Sequence, residues 1–189
     1  MPRSDEPTRT RRHVRVAVRV GVPVVFAFSL WYVFTHVIRL GYIISGSMEP
    51  TLKIGEYYTV RLHDYNGDDS PRRGDIIVFT AADGEPYVKR VVGLGGERFL
   101  VVGGNVWLDG QWLREPYLKE QPELAPPVLV AVPEGSVYVM GDNRNFSEDS
   151  RDAGPLPLDQ IMGRVTRVVW PLNQMRSFGR VQYLGGSDS

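Results

Sequence analysis

Asp75-Ile76-Ile77-Val78-Phe79-Thr80, Ala81-Ala82-Asp83-Gly84-Glu85-Pro86 and Tyr87-Val88-Lys89-Arg90-Val91-Val92 follow one another without a gap. The outer stretches are compact runs of β-formers. The middle one carries Asp-Gly and a proline, which supply turn chemistry. Strand, turn, strand is the reading. It puts Tyr87, Lys89 and Val91 on one face and Val88, Arg90 and Val92 on the other.

The same pattern continues on both sides. Upstream, Ile54 to His63 reads as a strand led in by Gly55, and Arg61 to Arg73, with Asn66-Gly67 and Pro71, as a polar loop. Downstream, Gly93, Gly95 and Gly96 break the alternation. Arg98–Val102, Asn105–Leu108 and Gln111–Leu113 then form a meander, with Gly103-Gly104 and Asp109-Gly110 as its turns. Glu115 to Pro127 holds four prolines and reads as an excursion. Val128–Val132 and Ser136–Met140 flank Pro133-Glu134-Gly135, and Gly163–Trp170 is a late strand. No long amphipathic helix is evident after residue 39, and no internal repeat. The expectation is a mostly β chain, with a twisted antiparallel sheet and a small accessory β segment over about 94–135.

The start of the chain differs. Residues 1–19 hold Arg3, Arg9, Arg11, Arg12, Arg15 and Arg19 against Asp5 and Glu6, the composition of a solvated tail. From Val20 to Ile38 there is no Asp, Glu, Lys or Arg. Nineteen helical residues would span roughly 28 Å, about a bilayer core. Trp31, Tyr32 and His36 sit toward the far end, as interfacial rings do. The reading is a basic cytoplasmic tail (1–19), a single transmembrane helix (20–38) and an extracytoplasmic domain (39–189), oriented by the arginines. Two alternatives stand beside it: a cleaved leader with Ser45-x-Ser47 as its cleavage site, and a nucleic-acid-binding arm. The apolar run exceeds the usual leader core of about 7–15 residues. The zero formal net charge gives no overall polyanion preference.

Composition narrows the chemistry. The chain has no cysteine, so disulfides, thiol nucleophiles and thiolate metal sites are excluded. No metal site or cofactor is indicated. Soon after the apolar run comes Ser45-Gly46-Ser47-Met48-Glu49-Pro50-Thr51-Leu52. Ser47 is a candidate nucleophile; a flexible hinge is the alternative. A hydroxyl needs a base. Of the three histidines, His13 lies in the tail and His36 in the apolar run, leaving His63. Nineteen arginines stand against three lysines. Lys53 and Lys119 occupy loop-like contexts where the ammonium should keep its ordinary pKa. Lys89 lies on an apolar strand, where burial would depress its pKa and make it a base. A strand lysine with its head in solvent is the alternative. Gly141 to Arg151 is a polar loop of hydroxyls, amides and paired charges directly after a hydrophobic strand, suited to bracing such a lysine.

In order, these stretches resemble the type I signal peptidases: Ser45-Gly46-Ser47-Met48-x-Pro50-Thr51-Leu52, Arg73-Gly74-Asp75-Ile76-Ile77-Val78-Phe79, Tyr87-Val88-Lys89-Arg90-Val91-Val92-Gly93, and Gly141-Asp142-Asn143-Arg144-x-x-Ser147-x-Asp149-Ser150-Arg151. The resemblance implies a membrane-anchored serine endopeptidase with Ser47 as nucleophile and Lys89 as general base. It implies an oxyanion hole from Ser45 and the Ser47 N–H, Ser147 orienting Lys89, and Asp149, Arg151 and Arg90 bracing the site. It also implies an apolar patch at the bilayer and cleavage of exported preproteins after Ala-x-Ala-like sequences. The signal peptide is expected to lie extended beside Ile43, Ile44 and the strand bearing Tyr87 and Val88. A Ser/Lys peptidase acting on itself or a dedicated partner, and a membrane-tethered β binding module, are the rival readings. Oligomeric state is not legible.

Overall fold

The computed structural model describes residues 19–32, 37–62, 65 and 70–179. It divides into two compact units, Met1–Ile38 and Arg39–Ser189. In the first, α1 covers 19–32. Its apolar side chains, Val24, Val25, Phe26 and Phe28 among them, are exposed. No helix among the described residues is long and apolar enough to cross a membrane. The apolar run read from the sequence extends into 33–36, which lie outside the described residues, and its last residue opens β1 (Ile38–Tyr42).

The second unit is mostly β. Its larger sheet draws on β2 (Tyr57–Leu62), β3 (Ile76–Thr80), β4 (Pro86–Gly93), β9 (Ser136–Met140), β10 (Leu156–Pro157), β11 (Ile161–Trp170) and β12 (Arg176–Ser177). The strand order is β1-β2-β11-β3-β4-β9-β10, with β12 on β11. A second sheet holds β5 (Arg98–Val102), β6 (Asn105–Leu108), β7 (Gln111–Trp112) and β8 (Val128–Ala131) in the order β7-β6-β5-β8. The pairings β2–β11, β3–β11, β3–β4, β4–β9 and β5–β8 are antiparallel. The hairpin read from Asp75 to Val92 is β3–β4, with Ile77 opposite Lys89 and Ile76 opposite Arg90.

Three apolar clusters set the positions of these strands. One joins Met48 and Leu52 to Tyr58, Val60, Ile76, Val78, Val165 and Val168. Met48 and Leu52 are 1% and 0% exposed, and burying such side chains contributes about 1.5–3 kcal/mol each. The segment around Ser47 is therefore a turn nailed to the sheet, not an open hinge. Within it the Glu49 N–H donates to Gly46 O (3.2 Å) and the Leu52 N–H to Met48 O (2.8 Å). A second cluster packs Phe99, Val101, Val106 and Val130 of the small sheet against Val92, Tyr138 and Met140 of the large one. The third joins Ile77, Val91 and Val139.

Short elements escape sequence patterning, among them β1, β10, β12 and α2 (Ser150–Ala153). α2 is only four residues long and rests on a capping box. The Asp149 carboxylate accepts from the Arg151 N–H while Asp152 accepts from the Asp149 N–H. Strands of two residues, such as β10 and β12, are too short to show alternation.

Candidate active site

β4 supplies Lys89, the packed turn after β1 supplies Ser47, and the loop from β9 into α2 supplies the surroundings. Lys89 is 3% exposed and its Nζ donates to Ser47 Oγ at 2.8 Å. Burial pushes the Lys89 pKa down. The charges of Asp149, Glu148 and Asp142 act in the other direction and Arg151 acts with burial; the net direction is downward. An amine held this way is a base closer to neutral pH than a free lysine. The alternative of a strand lysine with its head in solvent does not hold. Lys119 departs from the ordinary value expected for it: a hydrogen bond from its Nζ to Glu49 Oε2 raises its pKa. His63, the other base considered, lies outside the described residues.

Ser45 Oγ lies 3.4 Å from Ser47 Oγ, on the exposed side of the turn. Ile43, Ile44, Ser45, Ser47, Tyr87 and Val88 line a cleft of about 600 Å³. Ile43 is buried beneath it, whereas Ile44 is 81% exposed.

Ser147 does not bond to Lys89. Its hydroxyl donates to Asp149 Oδ2 at 2.9 Å. Asp149 also accepts from the Gly141 N–H (2.9 Å) and from Arg151 Nε (2.9 Å). Burial alone would raise the Asp149 pKa, but the Arg151 guanidinium and the two N–H groups outweigh it and hold the carboxyl below its ordinary range. The Arg151 guanidinium further donates to Arg144 O at 2.7 Å, tying the loop to itself. Gly141 makes the approach possible. A Cβ there would stand 2.3 Å from Ser147 Oγ and 2.5 Å from Ser47 O, so no side chain fits between the loop and the turn.

Arg90 pairs with Asp142. Its Nε and Nη2 donate to Asp142 Oδ1 (2.8 Å) and Oδ2 (2.6 Å), and its Nη1 to Gly74 O (2.9 Å). Thr51 Oγ1 donates to the same Asp142, and Tyr117 lies under the guanidinium at 3.9 Å. Asn143 bonds the turn itself: its N–H reaches Ser47 O and its Nδ2 reaches Gly46 O, both at 3.0 Å. Sequence reasoning gave Thr51, Tyr117, Asp142 and Asn143 no role. Asp142 and Asn143 stood inside a motif already singled out, so that loop was the available signal. Their partners lie 52 and 97 residues away, which local patterning does not report. Among the described residues no group of three His, Asp or Glu side chains is placed to hold a metal ion.

Residues 14–170 match the profile of the family described as signal peptidase, peptidase S26. Signal peptidase I of Leptolyngbya laminosa is 35% identical over 189 residues, covering 94% of this chain and 90% of that protein. Signal peptidase IB of Staphylococcus aureus is 32% identical over 174 residues, covering 82% and 90%. The crystal structure of a signal peptidase I from Enterococcus faecalis aligns with 31% identity and a TM-score of 0.46, over 51% of this chain and 97% of that one. The match over most of the chain, to a family that hydrolyses peptide bonds, gives the site of Ser47 and Lys89 its context: the chain belongs to the signal peptidase family, peptidase S26, and is a peptidase.

Proposed function

We propose that the chain is a membrane-anchored serine endopeptidase that removes signal peptides from exported preproteins, with Ser47 as nucleophile and Lys89 as general base. The observation that carries this reading is the 2.8 Å contact between Lys89 Nζ and Ser47 Oγ, made by a lysine whose burial depresses its pKa. In the reactive form the neutral amine accepts the Ser47 proton as Oγ bonds to the scissile carbonyl carbon. The carbonyl electrons move onto oxygen, and the Ser45 hydroxyl and Ser47 N–H hold that oxyanion. Removing one such donor lowers the rate by about 10²–10³-fold. The tetrahedral centre collapses, the C–N bond breaks, and the Lys89 ammonium protonates the leaving amine. Water, deprotonated by the same amine, then hydrolyses the acyl-enzyme.

The substrate lies extended in the cleft between Ile43-Ile44 and Tyr87-Val88, with small side chains at the third and first positions before the cut. Residues 20–38 serve as the anchor, with the N-terminus cytoplasmic and residues 39–189 outside. The exposed Leu40, Tyr42 and Ile44 at the mouth of the cleft suit an apolar, bilayer-facing surface.

The test is cleavage of a preprotein by the full chain in detergent, with the cut site mapped. Wild type and His63→Ala are expected to cut after Ala-x-Ala, and Ser47→Ala and Lys89→Ala to be inactive. Activity of Ser47→Ala, or its loss in a folded His63→Ala, sinks the Ser/Lys mechanism. Protease protection of residues 1–19 in sealed vesicles tests the topology.

A further inference from the structure

The Gly46–Ser47 peptide is held at its carbonyl end. Gly46 O accepts from the buried Asn143 Nδ2 at 3.0 Å, and from the Glu49 N–H within the turn at 3.2 Å. The next carbonyl, Ser47 O, accepts from the Asn143 N–H at 3.0 Å. One residue thus grips two consecutive carbonyls. A trans peptide is planar, with its C=O and N–H pointing in opposite directions. Fixing Gly46 O inward therefore fixes the Ser47 N–H outward, away from Asn143. Turning that peptide over would break both bonds to Gly46 O.

We infer that Asn143 is a positioning residue that sets the oxyanion-binding N–H of Ser47 by clamping the carbonyl of the same peptide unit. The inference rests on Ser47 being the nucleophile. It assigns to Asn143 no contact with substrate and no part in proton transfer.

A second observation separates this role from packing. Asn143 is 4% exposed, and its Oδ1 has no hydrogen-bond partner. A buried acceptor left unpaired works against folding. Turning the amide end for end does not help, because Oδ1 would then face Gly46 O and the donor would be lost. An apolar residue of similar volume would avoid the unpaired oxygen, so stability alone does not explain an amide here. What the amide adds is the Nδ2 donor, aimed at the one carbonyl that controls the Ser47 N–H. Lys89 and Asn143 consequently act on different atoms of the same residue, the hydroxyl and the amide.

The test uses the full-length protein in detergent with Asn143→Ala and with Asn143→Leu, which keeps the volume and removes both ends of the amide. Both retain the backbone N–H to Ser47 O. The expected result is a kcat lower by about 10²-fold, as for loss of an oxyanion donor, with KM within about twofold. The midpoint of the pH–rate profile should not move. In the Asn143→Ala/Ser45→Ala double variant the loss should be smaller than the product of the two single losses, because both act on one oxyanion. Asn143→Leu should melt close to wild type. An unchanged kcat in folded Asn143→Leu overturns the inference while leaving the Ser47/Lys89 reading intact. So does a shifted pH midpoint, which would place the effect on Lys89, or a rise in KM alone. Full activity of Ser47→Ala would instead overturn the underlying reading.

Discussion

Lys89 and Arg90 are consecutive on β4, each 3% exposed, and they meet burial in opposite ways. Arg90 is given a carboxylate in a two-pronged bond, a backbone carbonyl and an aromatic face. Lys89 is given a hydroxyl. Asp149, the ionised group that most raises its pKa, is itself engaged by Arg151, Ser147 and Gly141. Arginine stays protonated in proteins, so its charge must be met; lysine has the option of losing its proton. Alternating strand geometry sends the two cations to opposite faces, one to Asp142 and the other to Ser47.

Exchanging the two chemistries gives the largest effect. Lys89→Arg puts a permanent cation beside Ser47, and the rate of preprotein cleavage should fall by about 10²–10⁴-fold, as far as in Lys89→Ala. Measurable turnover by Lys89→Arg above the Lys89→Ala level would show that proton removal by this residue is not required. Arg90→Ala strikes the other cation. It strips Asp142, 1% exposed, of its bonds to the guanidinium and leaves it the Thr51 hydroxyl. The cost should be about 3–5 kcal/mol in urea unfolding, a large share of a typical domain stability. A loss below about 1 kcal/mol would mean that Asp142 finds water or another partner.

Removing the buried amine should have the opposite sign. Lys89→Met replaces an ammonium by an apolar group in a buried place. The folded pKa of Lys89 lies below its unfolded value. Below the folded pKa both states hold the proton and the full cost of burying charge is present. Between the two pKa values the unfolded chain binds more protons, so wild-type stability rises with pH. Lys89→Met should therefore be inactive yet melt higher than wild type near neutral pH, with the gap narrowing as pH climbs toward the unfolded lysine value. A lower melting temperature at every pH would show that the lysine earns its place by packing.

How much of this was legible follows from where each signal resides. The β3–β4 hairpin, the meander and the late strand were written in local alternation and turn residues, and the sheets follow them closely. Residue types (no cysteine, scarce histidine, a lysine set among valines) made Ser47 and Lys89 candidates with a hinge and a solvent-facing lysine as alternatives, and the resemblance to the type I signal peptidases implied the pair. The roles inside the Gly141–Arg151 loop were not readable at the level of partners. Ser147 turns to Asp149, and Arg90 to Asp142. Several carboxylates and guanidiniums there are interchangeable by type, and only register and strand order decide which pair. The turn at Ser47 looked like a hinge because glycine and serine dominate it. Its rigidity comes from Met48 and Leu52 beneath it and from Asn143 across it.

The smallest effect separates burial from charge at Lys89 itself. Glu148 is exposed, and its carboxylate acts to raise the Lys89 pKa against the downward push of burial. Glu148→Gln should move the midpoint of the pH–rate profile to lower pH without changing the plateau rate or the melting temperature. Because Glu148 faces solvent, salt should screen its influence. The shift seen at low ionic strength should shrink toward zero near 1 M, where the screening length is about 3 Å. Burial is not screened in this way, so the wild-type midpoint should stay below the ordinary lysine range at any salt concentration. An upward shift in Glu148→Gln would reverse the assigned sign. A wild-type midpoint that climbs toward about 10.4 in high salt would contradict burial as the leading cause, and with it the contrast between the two cations of β4.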